Sequence, residues 1–175
     1  MVKLFMINIL LYEPEIPQNT GNIMRTCAGT GTKLHLIKPL GFSLSDKFIK
    51  RSGVNYIEYC EYTVYEDFED FLSKNQGDFY FLTRYGTKDY CDFDFHDETK
   101  NIYLVFGKES TGIPKEILSN QIDSCARIPT NDCIRALNVS NSVAIVLFEV
   151  LRQQKFPGLL HYDTQKGKDY LGELE

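Results

Sequence analysis

No apolar run in this chain reaches the length of a membrane span, and residues 1–12 lack the cleavage-site pattern of a secretory signal. No membrane partner is expected, and the cysteines read as reduced thiols in the cytoplasm. The five cysteines (Cys27, Cys60, Cys91, Cys125 and Cys133) are scattered, with no C-x-x-C pair and no Cys/His cluster. Neither a disulfide framework nor a zinc site is indicated, and no metal is expected. The common nucleotide loops are missing as well: no G-x-G-x-x-G follows a strand pattern, and no G-x-x-x-x-G-K-[ST] occurs. Without a G-x-S-x-G elbow, nucleophilic hydrolysis has little support. The three histidines, His35, His96 and His161, lie in separate segments, and His35 sits in a strand pattern where a structural role is expected. A net charge of −5 argues against a chain that coats nucleic acid over its whole surface, while leaving room for one basic face.

What is present is a globular pattern. The 175 residues are 43% apolar and 25% charged, enough for one domain with a real core. Residues 4–11 form a nearly continuous apolar run, the mark of a strand buried on both sides. A short helix is expected over 19–28, ended by Gly29 and Gly31, and a strand over 33–38. A helical turn over 46–51 places Lys47, Lys50 and Arg51 on one side. A strand over 56–62 and an amphipathic helix over 64–74, with Phe68, Phe71 and Leu72 inward, come next. Strands follow at 78–83, 102–106 and 124–128, separated by an acidic, aromatic loop at 90–100 and a helix at 115–120 that Pro114 begins. Strands alternating with helices mean an α/β fold with a mostly parallel sheet and helices on both faces. Residues 1–158 read as one domain. Residues 159–175 lack a clear period and read as a tail without an assignable role.

The stretch from Arg127 to Asn141, R-I-P-T-N-D-C-I-R-A-L-N-V-S-N, organises the chain. It precedes an apolar run over 143–151, and Asn138, Ser140 and Asn141 are residue types that cap a helix start. A core helix needs no such polar approach, so a binding site at the helix N-terminus is indicated. Four polar segments, at 17–25, 83–87, 107–114 and 128–141, follow predicted strands. In open α/β sheets ligands bind beyond the carboxyl ends of the strands, so these segments should converge. Beside Asn19 and Asn22, Arg25 fits a polar rim where a planar guanidinium recognises phosphate. Lys47, Lys50 and Arg51 are the one compact basic patch, set for phosphate contact.

Three motifs, read in order, carry a resemblance. Asn19-x-x-Asn22-x-x-Arg25, then Phe106-Gly107-x-Glu109-Ser110-x-Gly112-Ile113-Pro114, then Ile128-Pro129 with Arg135-x-Leu137-Asn138-x-Ser140-Asn141, are similar to those of the SPOUT RNA 2′-O-methyltransferases. The opening L-Y-E-P-E-I-P-Q-N-T-G-N-I-M-R resembles the compact tRNA branch, which acts on the wobble ribose of cytidine or a modified uridine. The resemblance implies S-adenosyl-L-methionine as methyl donor, tRNA as acceptor, a homodimer and a C-terminal trefoil knot. It places the donor at Leu82, Gly107, Ile128, Ala136 and Leu137, and the catalytic groups at Arg25, Ser140 and Asn141. Substrate RNA falls to Asn19, Asn22, Lys47, Lys50, Arg51, Glu109 and Arg135. A guanidinium is a poor proton acceptor, so Arg25 is expected to stabilise the ribose oxyanion and orient the adjacent phosphate. The competing readings are a different tRNA or rRNA ribose as target, and an RNA-binding protein without catalysis. The apolar helix exceeds what one small sheet can cover, which agrees with a dimer.

Overall fold

The computed structural model describes residues 7–45 and 54–172. β1 (Ile7–Tyr12) and β6 (Ile102–Phe106) lie side by side at the centre of a seven-stranded sheet, in the order β3-β2-β1-β6-β4-β7-β5. The other strands are β2 (Lys33–Ile37), β3 (Tyr62–Tyr65), β4 (Asp78–Leu82), β5 (Lys88–Asp89) and β7 (Cys125–Arg127). Every pairing is parallel, so the sheet is wholly parallel among the described residues.

Alternation along the strands divides the core in two. Ile9, Leu11, Leu34, Leu36 and Leu104 face α1 (Pro17–Thr30) and α4 (Val139–Gln153). Leu10, Ile37, Phe81, Tyr103 and Val105 face α2 (Phe68–Lys74) and α3 (Lys115–Ser119). Helices therefore cover both faces, as an all-parallel sheet requires. His35 is fully buried between Asn8 and Tyr65, in the structural role its strand pattern predicts.

Several boundaries differ from the sequence expectation. Helix α1 begins at Pro17, whose missing N–H and fixed φ suit the first turn, and runs through Gly29. It stops at Gly31, which adopts φ +67° and donates its N–H to Cys27 O. In place of a strand over 56–62 stands a 3-10 helix, Val54–Tyr59; the strand follows it because Tyr62–Tyr65 pairs with β2. The helix expected from residue 64 starts only at Phe68, where the Asp67 carboxylate accepts the Asp70 N–H at 2.7 Å. Phe71 is buried as expected, whereas Leu72 is 43% exposed. Pro114 is the N-cap of α3, one place before its first turn. The basic patch Lys47, Lys50 and Arg51 lies outside the described residues. Beyond α4, Leu159 still packs against the core, while Leu160 and Leu171 are exposed.

Candidate active site at the carboxyl edge of the sheet

The polar segments do converge. A pocket of about 730 Å³ opens beyond the carboxyl ends of β4, β6 and β7, bounded by the start of α4. Leu82, Gly107, Ile128, Ala136 and Leu137 all line it, as do Asn19, Glu109 and Arg135. Arg25, Asn22, Ser140 and Asn141 are not in its lining. The volume lies in the usual range for small-molecule and cofactor sites.

Gly107 explains the sharp exit from β6. A Cβ there would lie 2.2 Å from the Gly112 carbonyl carbon and 2.4 Å from Ile113 N, so the loop folds back on itself only around glycine. Gly112, at φ +76°, closes the loop by donating to Lys108 O at 2.9 Å. The loop is then clasped to the segment after β1. Ser110 donates from both N and Oγ to the Glu15 carboxylate at 2.8 Å, and Glu15 N donates to Glu109 Oε2 at 2.8 Å. These Ser110 bonds hold the Glu15 carboxyl below its ordinary range. Lys108 pairs with Glu13 at 2.6 Å, and that contact raises the lysine above its ordinary value. Glu13 takes φ +48°, an unusual conformation for a non-glycine residue, at the point where the chain leaves β1 for this clasp.

A relay joins the three motifs. Asn19 donates from Nδ2 to Glu109 Oε1 at 2.9 Å, across 90 residues of chain. Its Oδ1 accepts from Asn138 Nδ2 at 3.0 Å, across 119 residues. Asn138 Oδ1 then accepts from Ser140 N at 2.9 Å, Ser140 Oγ at 2.6 Å and Asn141 N at 3.4 Å. Of the three capping residues expected, Asn138 alone is the cap; Ser140 and Asn141 are the residues it holds. Asn19 is only 7% exposed and both ends of its amide are engaged. Glu109 has an acceptor bond at each oxygen. Both residues, of which a direct RNA contact is expected, are thus tied into the relay while lining the pocket.

Arg25 and Asn22 lie on the exposed side of α1. The Arg25 guanidinium stacks over the Tyr56 ring, 5.1 Å from its centroid. At about 1.5 Å rise per residue, Arg25 stands roughly 9 Å along the helix from Asn19. The pocket also takes in Ile16, Lys108 and Ser142, which sequence reasoning did not single out. It takes in Arg84 and Tyr85 too; the strand-exit rule marked their segment but not the residues. Among the described residues, no group of three or more His, Cys, Asp or Glu is placed to hold a metal.

The comparisons agree with this arrangement. The model of the SpoU rRNA Methylase family matches residues 6–148. A Geobacillus stearothermophilus protein, named provisionally as a tRNA (cytidine(34)-2′-O)-methyltransferase, is 50% identical over 154 residues, covering 87% of this chain and 98% of its own. A solved structure described as giving insight into the 2-OH methylation of C/U34 on tRNA is 35% identical, with a TM-score of 0.80 over 86% of this chain and 97% of that one. A Sinorhizobium meliloti rRNA methyltransferase, described with AdoMet bound, is 25% identical, with a TM-score of 0.75 over 86% of this chain and 57% of its own. Glycine-dependent loop, clasped carboxylates and capped helix thus sit within the matched span, and the chain belongs to the SpoU rRNA Methylase family.

Proposed function

We propose that this protein transfers a methyl group from S-adenosyl-L-methionine to the ribose 2′-oxygen of the wobble nucleotide of tRNA, cytidine or a modified uridine at position 34. The observation that carries the reading is the Glu109–Asn19–Asn138 relay, which draws all three motif segments to one pocket. The substrate assignment leans on the relative and the solved structure that are described with that activity.

The pocket fits the donor. Leu82, Phe106, Ile113 and Leu137 supply apolar surface, and the strand exits at Gly107 and Ile128 bring main-chain groups close. The donor, when bound, supplies an electrophilic methyl on a sulfonium sulfur. The chain has to hold the ribose, stabilise the developing alkoxide and exclude competing water. Arg25 takes the oxyanion and orients the neighbouring phosphate, because a guanidinium offers a forked, permanently charged donor. Ser140 and Asn141, fixed by the Asn138 cap, act from the start of α4, beside the wall that Asn138 and Val139 line. Asn19 and Glu109 position that wall through the relay and, with Asn22, Arg135 and the basic patch at Lys47, Lys50 and Arg51, meet RNA.

Arg25 lies outside the pocket of its own chain, so the reading includes a homodimer in which one protomer's Arg25 serves its partner's pocket. Exposed Ile145 and Phe148 on α4 give such a dimer an apolar surface to bury. The family's trefoil knot belongs to the same proposal, as does action in the cytoplasm. No helix among the described residues is long and apolar enough to cross a membrane.

The test is transfer of labelled methyl to bulk tRNA, with mapping of the product, for the wild type and Arg25→Lys. Label is expected on the wobble ribose, and the lysine variant should lose at least about tenfold in turnover, the loss of one charge-assisted hydrogen bond. Label on a base, or on rRNA alone, overturns the assignment; full activity in Arg25→Lys overturns the forked role.

A further inference from the structure

At the mouth of the pocket, Arg84 and Arg127, which the methyl-transfer reading leaves without a task, stand beside Arg135. Arg84, Arg127 and Arg135 line a second, shallower concavity of about 440 Å³ that shares them, and Tyr85, with the main pocket. Among the described residues, its only acidic lining residue is Asp132. Among the described residues, none of the three arginines belongs to an ion pair. Arg127 Nε is buried and meets no acceptor. Three guanidiniums gathered this way on a chain of net charge −5 mark a local anion site.

The rim is held in place by its backbone. Thr83 N donates to Ala126 O at 2.9 Å, and Tyr90 N donates to Arg127 O at 2.9 Å. Between them the chain turns, with Gly86 N donating to Thr83 O at 3.2 Å. Gly86 is buried, and a Cβ there would lie 2.6 Å from the Ala126 carbonyl carbon. The turn is thus fastened to β7 on both sides, and it presents Arg84 and Tyr85 beside Arg127. Arg84 lies over the Tyr85 ring at 4.7 Å and donates to its hydroxyl, while Tyr85 stays 67% exposed.

We propose that this rim is the cleft for the single-stranded RNA flanking the reacting nucleotide. Arg84, Arg127 and Arg135 take backbone phosphates, and Tyr85 stacks on a neighbouring base. An aromatic face interleaved with guanidiniums is the combination that grips single-stranded nucleic acid with little sequence preference. A lone cofactor carboxylate would occupy one arginine, whereas a row of them suits a polyanion. The inference rests on the reading of the chain as an RNA methyltransferase, and it assigns that site its substrate-gripping residues.

The experiment measures binding of an anticodon stem-loop RNA with cytidine at the wobble position, by fluorescence anisotropy across a salt series. S-adenosylmethionine is titrated separately by calorimetry. For Arg84→Ala, the slope of log affinity against log salt should become shallower by about 0.7, the value of one released counterion on a single strand. For Tyr85→Ala, affinity should fall about tenfold with the slope unchanged. Cofactor affinity should fall by much less than RNA affinity in both. Wild-type affinity and slope in both variants overturn the inference, as does a fall in cofactor affinity that matches the fall in RNA affinity. Because binding is read without turnover, a wild type that grips the RNA through these residues but leaves it unmethylated sinks the proposed reaction and supports the rim. A wild type that methylates tRNA while both variants bind normally sinks the rim alone.

Discussion

Two side-chain relays run through this protein, built from similar parts and ended differently. On the α2 face of the sheet, Asn8 donates to Ile102 O at 3.2 Å and faces His35 Nε2 at 3.0 Å, and His35 Nδ1 meets the Tyr65 hydroxyl at 2.9 Å. The Asn8 amide nitrogen is committed to Ile102, so its oxygen faces the ring. Nε2 therefore carries the proton, and Tyr65 donates to Nδ1. Phe71 and Tyr103 pack on the imidazole at 5.4 and 5.5 Å between centroids. At the carboxyl edge, the Glu109–Asn19–Asn138 relay instead ends on the N–H groups that open α4, beside the pocket. Asn8 and Asn19 are both buried, so burial does not separate a structural amide from a positioning one. The place where the relay ends does.

The sharpest way to break the contrast is Gly107→Ala. Its Cβ meets main-chain atoms that cannot rotate away, so the loop carrying Glu109 must shift. A loss of about 3 kcal/mol in urea unfolding is expected, together with loss of measurable S-adenosylmethionine binding. Retention of full cofactor affinity would show that the clasp does not shape the pocket.

Acid acts on the other relay. Burial, with Lys33 adding to it, lowers His35 from 6.5 to about 4. The unfolded chain therefore binds the proton first as pH falls. The stability contributed by neutral His35 is full above pH 6.5, declines as pH drops from there to about 4, and is gone below. This change amounts to about 3 kcal/mol. Unfolding at pH 7 and pH 4 should reveal it, and a His35→Gln variant should lose correspondingly less over the same interval. Equal acid sensitivity in the two proteins would remove His35 from the account.

Asn19→Ala is the milder probe. It leaves a Glu109 oxygen and the Asn138 amide without their partner, at a cost of about 2 kcal/mol. If the relay positions the start of α4, turnover on tRNA should fall further than this cost in stability alone predicts, by about tenfold in methyl transfer at a temperature where the variant remains folded. Loss of stability with wild-type turnover would place Asn19 in the same class as Asn8.

The legibility of the molecule followed the same division. Central strands were readable because β1 and β6 are buried on both sides, which leaves a continuous apolar run for each. The strand-exit segments were readable because loops there must be polar and glycine-bearing, and all five residues expected at the donor line one pocket. The stretch from Tyr56 to Phe71 misled because aromatic residues fill strand and helix periods alike; register against β2 and the Asp67 cap decide it. The two residues of β5 are too few for any periodicity. A polar residue in a motif, moreover, does not reveal which way it points. Asn19 and Glu109 are bonded to each other at the pocket wall, while Arg84 and Tyr85, outside the quoted motifs, stand at the mouth.

The short margins of the sheet carry a consequence for assembly. Among the described residues one border is β3, four residues flanked by Glu61 and Glu66, and the other is β5, only Lys88 and Asp89. A parallel strand added at either border would repeat head to tail and grow an open-ended fibre, and stubby, charged borders discourage that growth. Among the described residues, neither margin of the sheet therefore offers a long template for open-ended growth.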